Sequence, residues 1–549
     1  MEPSSGRMTA RQAAAHERRD LMTKRRHEMS SKIRKQKKSE YLARKRNLPG
    51  SGVQPSTVDC ESISQKLVTA PTMENLMALE QALRSSKLEG TSENPLVFLQ
   101  QSNAMTATAL IRNLRLFLQS PSQDETIAAM NILVHLTAIS YPASESYYGQ
   151  APVSWCSTLL VDPELFALFN TMIPYMEQTS VILGNLAGDP AQEVRHALRQ
   201  AVPALVQALQ QNPPSPAAAW ALTNAIRNDT TASASIYCSD EYLSPALLES
   251  MLLSGSPQVA TQAAWMVASL TNREPDVVEV LSSCPSFLPN VIRLLEHPPH
   301  GEDQLLPLVQ ALGNIASYEE RVPALLSLQL APVVATILNQ ARGPLLQQTA
   351  WLAGCLLCDA GLLQHPSTTV AEPILVPVLM HLLSSHQLVL DEQREVVCAL
   401  WNALASPPSS QEQNENSGGC GMNKKNDVRP IIPVLVNLLS ATDADAVLAA
   451  VHLVNIFLRR DPSLGPALEE AQVQDALEHV CDSTMHDAAE VAAELIDDFF
   501  DQNEEDDDDD EVEMDFGTIR FGQPVGATSS PPQGMGRGRG AVLPSWAMN

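Results

Sequence analysis

WALTNAIRN, residues 220 to 228, decides the reading of this chain. It is an apolar helical segment in which Trp220 and Asn224 stand four residues apart and so share one helix face. Segments of the same kind recur: LGNLAGD at 183 to 189, WMVASLTNR at 265 to 273, LGNIAS at 312 to 317, WLAGCLLCD at 351 to 359, LWNALAS at 400 to 406 and LVNIFLRRD at 453 to 461. Their polar positions fall at 185, 224, 269, 314, 355, 402 and 455, giving spacings of 39, 45, 45, 41, 47 and 53. A period near 40 to 47 belongs to solenoids built from helical pairs or triplets. Working outward, residues 72 to 500 are rich in Leu, Ala and Val at helical spacing and punctuated by Pro and Gly, with almost no strand signal. The long last spacing accommodates the polar insert SPPSSQEQNENSGGCGMNKKNDV, 406 to 428, which reads as a loop rather than a site.

Charge is partitioned along the chain. The first fifty residues hold fifteen Lys+Arg against five Asp+Glu, about +10, so a total of −27 leaves about −37 on the remainder. Residues 25 to 47, RRHEMSSKIRKQKKSEYLARKRN, form the core of a basic helical arm with few apolar anchors (Leu21, Met22, Met29, Ile33, Leu42), unable to fold alone and suited to an acidic groove. Nucleic acid is a weaker candidate partner, since Tyr41 is the arm's sole stacking aromatic and the body is acidic. The other end runs from AEVAAELIDDFFDQ, 489 to 502, into NEEDDDDDEVEMD and then into a Gly- and Pro-bearing stretch at 518 to 549 expected to be disordered. The composition offers no membrane span and no secretory leader. Nine scattered cysteines suit an intracellular protein, and the Cys355/Cys358 pair sits in an apolar run that reads as buried helix rather than metal or redox site. Phosphate loops, nucleophile elbows and HExxH motifs are missing, so no enzyme, cofactor or metal is expected.

The arm and the repeats together resemble the importin α family of nuclear import adaptors. The resemblance implies an all-α, right-handed superhelical solenoid of about ten armadillo repeats at 72 to 502, preceded by an importin-β-binding arm at 1 to 48 and a flexible linker at 49 to 71, and followed by an acidic and then disordered tail at 503 to 549. Function follows as an expectation: a concave groove that takes Lys/Arg-rich localisation signals of cargo, an arm that recruits importin β, a tail region open to an export receptor, and shuttling between cytoplasm and nucleus. In the arm the implied contacts are Arg25, Arg26, Arg34, Lys35, Lys37, Lys38, Arg44, Lys45 and Arg46. In the major groove they are Gln178, Asn185, Asp189, Trp220 and Asn224; centrally, Trp265 and Asn314; in the minor groove, Trp351, Asn402 and Asn455. Stacked indoles would hold the aliphatic stems of Lys and Arg while Asn amides bond the ligand backbone.

The ladder is uneven. Val181 precedes Asn185, Ser269 follows Trp265, Gln310 precedes Asn314, Cys355 follows Trp351, Cys398 precedes Asn402, and Asn131 and His135 stand where Trp and Asn are expected. Trp401 is one residue off register. Each Trp could instead be core, each Asn a helix staple, and Asp189 a cap beside Gly188 and Pro190. An armadillo scaffold for signalling or cytoskeletal partners, which would have no use for the arm, and a specialised adaptor with reduced cargo range remain alternatives. With importin β absent, Arg44-Lys45-Arg46-Asn47 is expected to fold back over the linker onto the chain's own groove.

Overall fold

A computed structural model describes residues 60–85, 104–138, 162–188, 192–229, 237–239, 242–272, 274–358, 368–385, 388–405 and 427–500. The basic arm, most of the 406–428 insert, Asp189 and everything past Phe500 lie outside the described residues. The chain divides into one unit, Met1–Phe500, and a second, Asp501–Asn549.

Every described element is a helix, with no strand among the described residues. One set of helices forms a continuous spine. In chain order the helices are α1 (Cys60–Thr69), α2 (Met73–Ser85), α3 (Ala104–Leu118), α4 (Gln123–Ala138), α5 (Pro163–Met172), α6 (Glu177–Leu186), α7 (Gln192–Arg199), α8 (Val202–Leu209), α9 (Pro216–Asn228) and α10 (Pro245–Leu252). They continue as α11 (Pro257–Thr271), α12 (Pro275–Ser283), α13 (Phe287–Glu296), α14 (Glu302–Ala316), α15 (Val322–Ser327), α16 (Leu330–Gln340), α17 (Gly343–Leu357), α18 (Thr368–Ser384) and α19 (Leu390–Leu404). The last are α20 (Ile432–Leu439), α21 (Ala444–Arg460), α22 (Gly465–Glu470), α23 (Val473–Cys481) and α24 (His486–Phe499). Helices α2, α4, α6, α9, α11, α14, α17, α19, α21 and α24 each pack on the next of the series, and the remaining helices back them. This is an all-α solenoid in which each repeat buries its apolar face only against its neighbours.

Local sequence explains where helices begin. Ser215, Ser244 and Ser256 each accept a hydrogen bond from the backbone N–H three residues on, and each is followed by a proline at the first helical position. The missing proline N–H is one that no helix start uses, and the serine oxygen satisfies one of the four orphan donors. Such a cap contributes about 1 kcal/mol. Asp162 and Asp443 do the same for α5 and α21. Proline does not always punctuate: Pro307 lies inside α14 and Pro373 and Pro377 inside α18. Burial of Leu306, Leu308, Leu375 and Val376 around them outweighs the lost backbone bonds.

Small residues set the spine's close spacing. Ala217, Ala218, Ala219, Ala221 and Ala225 of α9 are all buried, as are Ala260, Ala263, Ala264 and Ala268 of α11. With no side-chain entropy to lose and little bulk, alanine both favours the helix and lets neighbouring spine helices approach.

Three expectations change here. The segment 49 to 71 is not all linker, because Cys60–Thr69 forms α1, whose Leu67 is fully buried against α2 and α3. The final helix begins at His486, earlier than 489, and Phe500 caps it from within the core. The insert ends before Val428, which is itself buried. Cys355 and Cys358 are buried, as the apolar run predicts. No single described helix is long and apolar enough to cross a membrane.

Candidate peptide-binding face on the spine helices

The asparagines of the spine do a common job. Asn185 Nδ2 donates to Thr137 Oγ1 at 3.0 Å and to the Val134 carbonyl at 3.5 Å. Asn224 Nδ2 donates to the Gly184 carbonyl at 3.2 Å, and Asn228 one turn on reaches the Ala187 carbonyl at 2.8 Å. Asn314 reaches the Ala268 carbonyl at 3.0 Å and Thr271 Oγ1 at 3.1 Å, and Asn402 reaches the Gly354 carbonyl at 3.5 Å. In each case the acceptor sits toward the C-terminus of the preceding spine helix. The amide nitrogen is therefore a staple between repeats. At Asn185 and Asn314 the amide nitrogen makes two such bonds, whereas at Asn224 it makes one, so a second N–H as well as the oxygen can face a ligand there, which narrows the role expected from sequence.

The indoles stand in two different environments. Trp220, on α9, is half-buried and lies on Gly184 of α6, so close that a Cβ at Gly184 would fall 2.1 Å from the ring's Cζ3. Trp351, on α17, lies on Gly313 of α14 in the same manner, with a would-be Cβ 1.9 Å from Cζ3. The shared signal is LGN: glycine immediately before the stapling asparagine makes a seat for the next repeat's indole. Sequence reasoning aligned on Trp and Asn and passed over this glycine.

The seats look alike but the rings are not equally accessible. Trp351 is 3% exposed and its Nε1 is buried without a hydrogen-bond partner. Asn402 is likewise 3% exposed and Asn314 fully buried. Of the expected minor-groove and central residues, these three are thus packing residues and not a surface. The spine helices α14, α17 and α19 that carry them pack on one another, and Trp351 belongs to their common apolar core. Trp401, off register, is buried and stacks on His452 at 4.6 Å with an interplanar angle of 7°.

Asn455 is half-buried, but its Oδ1 accepts from Arg459 Nε at 2.6 Å. Arg459 continues to Asp498 at 2.7 Å and lies 5.7 Å from the Phe499 ring. Asn455 is thus engaged by the chain's own guanidinium, which ties it to the last helix.

At the other end, Gln178, Asn185, Trp220, Asn224 and Trp265 are all half-buried and lie on the consecutive spine helices α6, α9 and α11. These five predicted residues keep partly exposed side chains on neighbouring helices; Asp189 lies outside the described residues. The expected ladder at Asn131 and His135 differs, since Asn131 donates to Glu80 at 2.7 Å and Glu80 also pairs with Arg84 at 2.6 Å. One further residue belongs to this face. Arg227, three residues after Asn224, places its guanidinium carbon 5.1 Å from the Trp265 ring centroid.

Two ion clusters brace the solenoid, one beside α9 and one between α19 and α21. Arg199 meets Asp229 through Nε at 2.6 Å and Nη2 at 2.8 Å, and Tyr237 donates to the same carboxylate at 2.7 Å. The hydrogen bond it donates to Asp229 raises the Arg199 pKa above its ordinary value, partly offset by burial. Farther along, Arg394 bridges Glu395 and Asp443; burial would lower its pKa, and the charges and hydrogen bonds of Glu395 and Asp443 together more than reverse this. Among the described residues no cluster of His, Cys, Asp or Glu could hold a metal ion.

Residues 12–93 match the family model of the importin beta binding domain. The match covers the whole basic cluster singled out in sequence and extends through α1 and α2. It supports the resemblance to the importin α family. Among solved structures, an engineered protein from a structural genomics consortium matches with a TM-score of 0.58 at 19% identity, over 80% of this chain and 98% of that one. That likeness supports the helical-repeat fold alone. No curated protein matches the chain.

Proposed function

We propose that this chain is a nuclear import adaptor that recruits importin β through its N-terminal arm and holds a basic localisation signal of a cargo protein across α6, α9 and α11. The single observation that carries the reading is the importin beta binding domain at 12–93 joined directly to a helical solenoid. A scaffold for signalling or cytoskeletal partners would have no use for that domain.

For the cargo face, the support is chemical. Trp220 presents a half-open indole that can carry the stem of a lysine or arginine, worth about 1 to 2 kcal/mol. Asn185 spends its amide nitrogen on the repeat stack and keeps its amide oxygen for a ligand's backbone N–H, while Asn224 uses one amide hydrogen there and keeps the other together with the oxygen. Burial of Trp351 and Asn402, and the Arg459 contact at Asn455, favour the narrower reading of an adaptor with reduced cargo range. The chain acts by binding, and movement between cytoplasm and nucleus follows from its partners. An export receptor at the acidic tail belongs to the same proposal.

Two measurements test it. Full-length protein should bind importin β with an affinity that falls steeply with salt, because long-range charge attraction is screened. Reversing Arg34, Lys35, Lys37 and Lys38 to Glu should abolish that binding, and retained binding sinks the recruitment role. Trp220→Ala should weaken a lysine-rich signal peptide roughly tenfold by calorimetry; no change would return Trp220 to the core.

A further inference from the structure

We infer that Trp265, Leu306 and Leu345 form an aliphatic subsite across α11, α14 and α17, which takes an apolar side chain of the same basic peptide that α6, α9 and α11 hold. The inference rests on the peptide-binding reading above and deepens it by adding a second specificity to the ligand.

The three helices are consecutive members of the spine, and their composition sets them apart. Helices α11, PQVATQAAWMVASLT, and α17, GPLLQQTAWLAGCLL, carry no charged residue. Helix α14 carries only Glu302 and Asp303, both exposed in its first turn. A lysine or arginine laid over the middle of these helices would lose water without gaining a carboxylate, and an unpaired charge taken out of water is costly. An apolar side chain there finds partners. Leu306 stands apart from the continuous core as a small cluster of its own, with the half-buried Trp265 of α11 and Leu345 of α17 packed against it. Trp265 also lies 5.1 Å from the Arg227 guanidinium of α9, so it joins this cluster to the face that precedes it.

Gln310 supplies an independent observation. It lies four residues after Leu306, on the same side of α14, is 4% exposed, and its Oε1 has no hydrogen-bond partner. A buried acceptor left unpaired is destabilising. The backbone N–H of a ligand residue whose side chain enters beside Leu306 is a donor of the right kind. Glu302, four residues before Leu306, is exposed on that side, so the stripe reads carboxylate, leucine, amide. The carboxylates at the rim select the occupant. They attract a peptide with basic flanks and repel an acidic one, as does a chain whose formal net charge is −27.

Spine helices lie about 8 to 10 Å apart and an extended peptide advances about 3.3 Å per residue. Leu306 is two spine helices beyond Trp220. The aliphatic residue therefore belongs about five or six residues from the lysine at Trp220.

The test uses full-length protein and peptides with one lysine-rich anchor, in which Leu, Ala or Lys is placed in turn at each position flanking the anchor. At one position, about five or six residues from the anchor, Leu should bind about tenfold tighter than Ala, and tighter than Lys. Unlike the affinity of the anchor, this Leu/Ala ratio should persist as salt is raised. Leu345→Gln and Leu345→Asp, made at a half-buried side chain and checked by thermal unfolding, should bring the ratio near one, with the Asp variant favouring Lys instead. Equal binding of Leu and Ala peptides at every position, or a Leu preference untouched by Leu345→Asp, overturns the inference while the loss of anchor binding in Trp220→Ala still stands. Self-association in sedimentation velocity that Leu345→Asp abolishes gives the patch to a second copy of the chain and overturns it too. No peptide binding at all, or binding indifferent to Trp220, overturns the function on which it rests and this inference with it.

Discussion

Glu395→Ala is expected to cost about 3 to 5 kcal/mol, among the largest losses any single side chain of the solenoid can produce. The Glu395 side chain is 1% exposed and its Oε1 accepts from Arg394 Nε at 2.9 Å and Nη2 at 2.8 Å. Arg394 is itself only 15% exposed and also holds Asp443 at 2.7 Å, the residue that caps α21 through the Ala446 N–H. Removing the carboxylate leaves a buried cation with half of its partners and loosens the cap of the next spine helix. Because a repeat array unfolds locally, the loss should concentrate in hydrogen exchange of α19 and α21 rather than spread over the chain. Asp498→Ala offers the contrast: its pair with Arg459 is about half exposed on both sides, and solvent screening should hold its cost under about 1 kcal/mol. Similar losses for the two variants would mean that the Glu395 pair adds nothing beyond a surface contact.

Much of the architecture was legible because local and global signals agree. The recurrence of an apolar helix with a small residue and then a polar one gave the spine, while the Ser-Pro pairs at 215, 244 and 256, which start helices in the fold, were a legible signal left unread. Helix α1 was missed for a physical reason. Its neighbours, PGSGVQPST, carry turn residues, and only burial of Leu67 against α2 and α3 decides for the helix. Prolines inside α14 and α18 mislead in the same way, since burial overrides propensity there.

The candidate site was legible as positions but not as exposure. Trp220 and Trp351 stand at the same place in their repeats, four residues before Asn224 and Cys355, yet one is half-buried and the other enclosed. What separates them is the packing of whole neighbouring helices, which no local spacing encodes. The asparagine donors were similarly unreadable, because the carbonyls that consume them lie 40 to 51 residues earlier. Arg227 could have been found by noting a cation three residues after Asn224, on the same face, one repeat before another tryptophan.

The paired glycines turn that difference in exposure into an experiment. Alanine at either Gly184 or Gly313 places a Cβ about 2 Å from the Cζ3 of the indole seated there, so the ring must move in both variants. Alanine also favours a helix interior over glycine by about 1 kcal/mol, which partly offsets the clash. At Gly184 the half-open Trp220 can swing outward. Stability should then change by less than about 1 kcal/mol, while affinity for a lysine-rich peptide falls roughly as far as in Trp220→Ala, because the platform has left its seat. At Gly313 the enclosed Trp351 has nowhere to go, and overpacking should cost about 1 to 3 kcal/mol even after the helix gain. Peptide affinity of the remaining folded protein should stay close to native, since Trp351 is a packing residue here. Denaturation followed by calorimetry on the same two samples separates the cases. Peptide binding lost in Gly313→Ala but kept in Gly184→Ala would move the binding face to α14 and α17 and overturn the assignment to α6, α9 and α11.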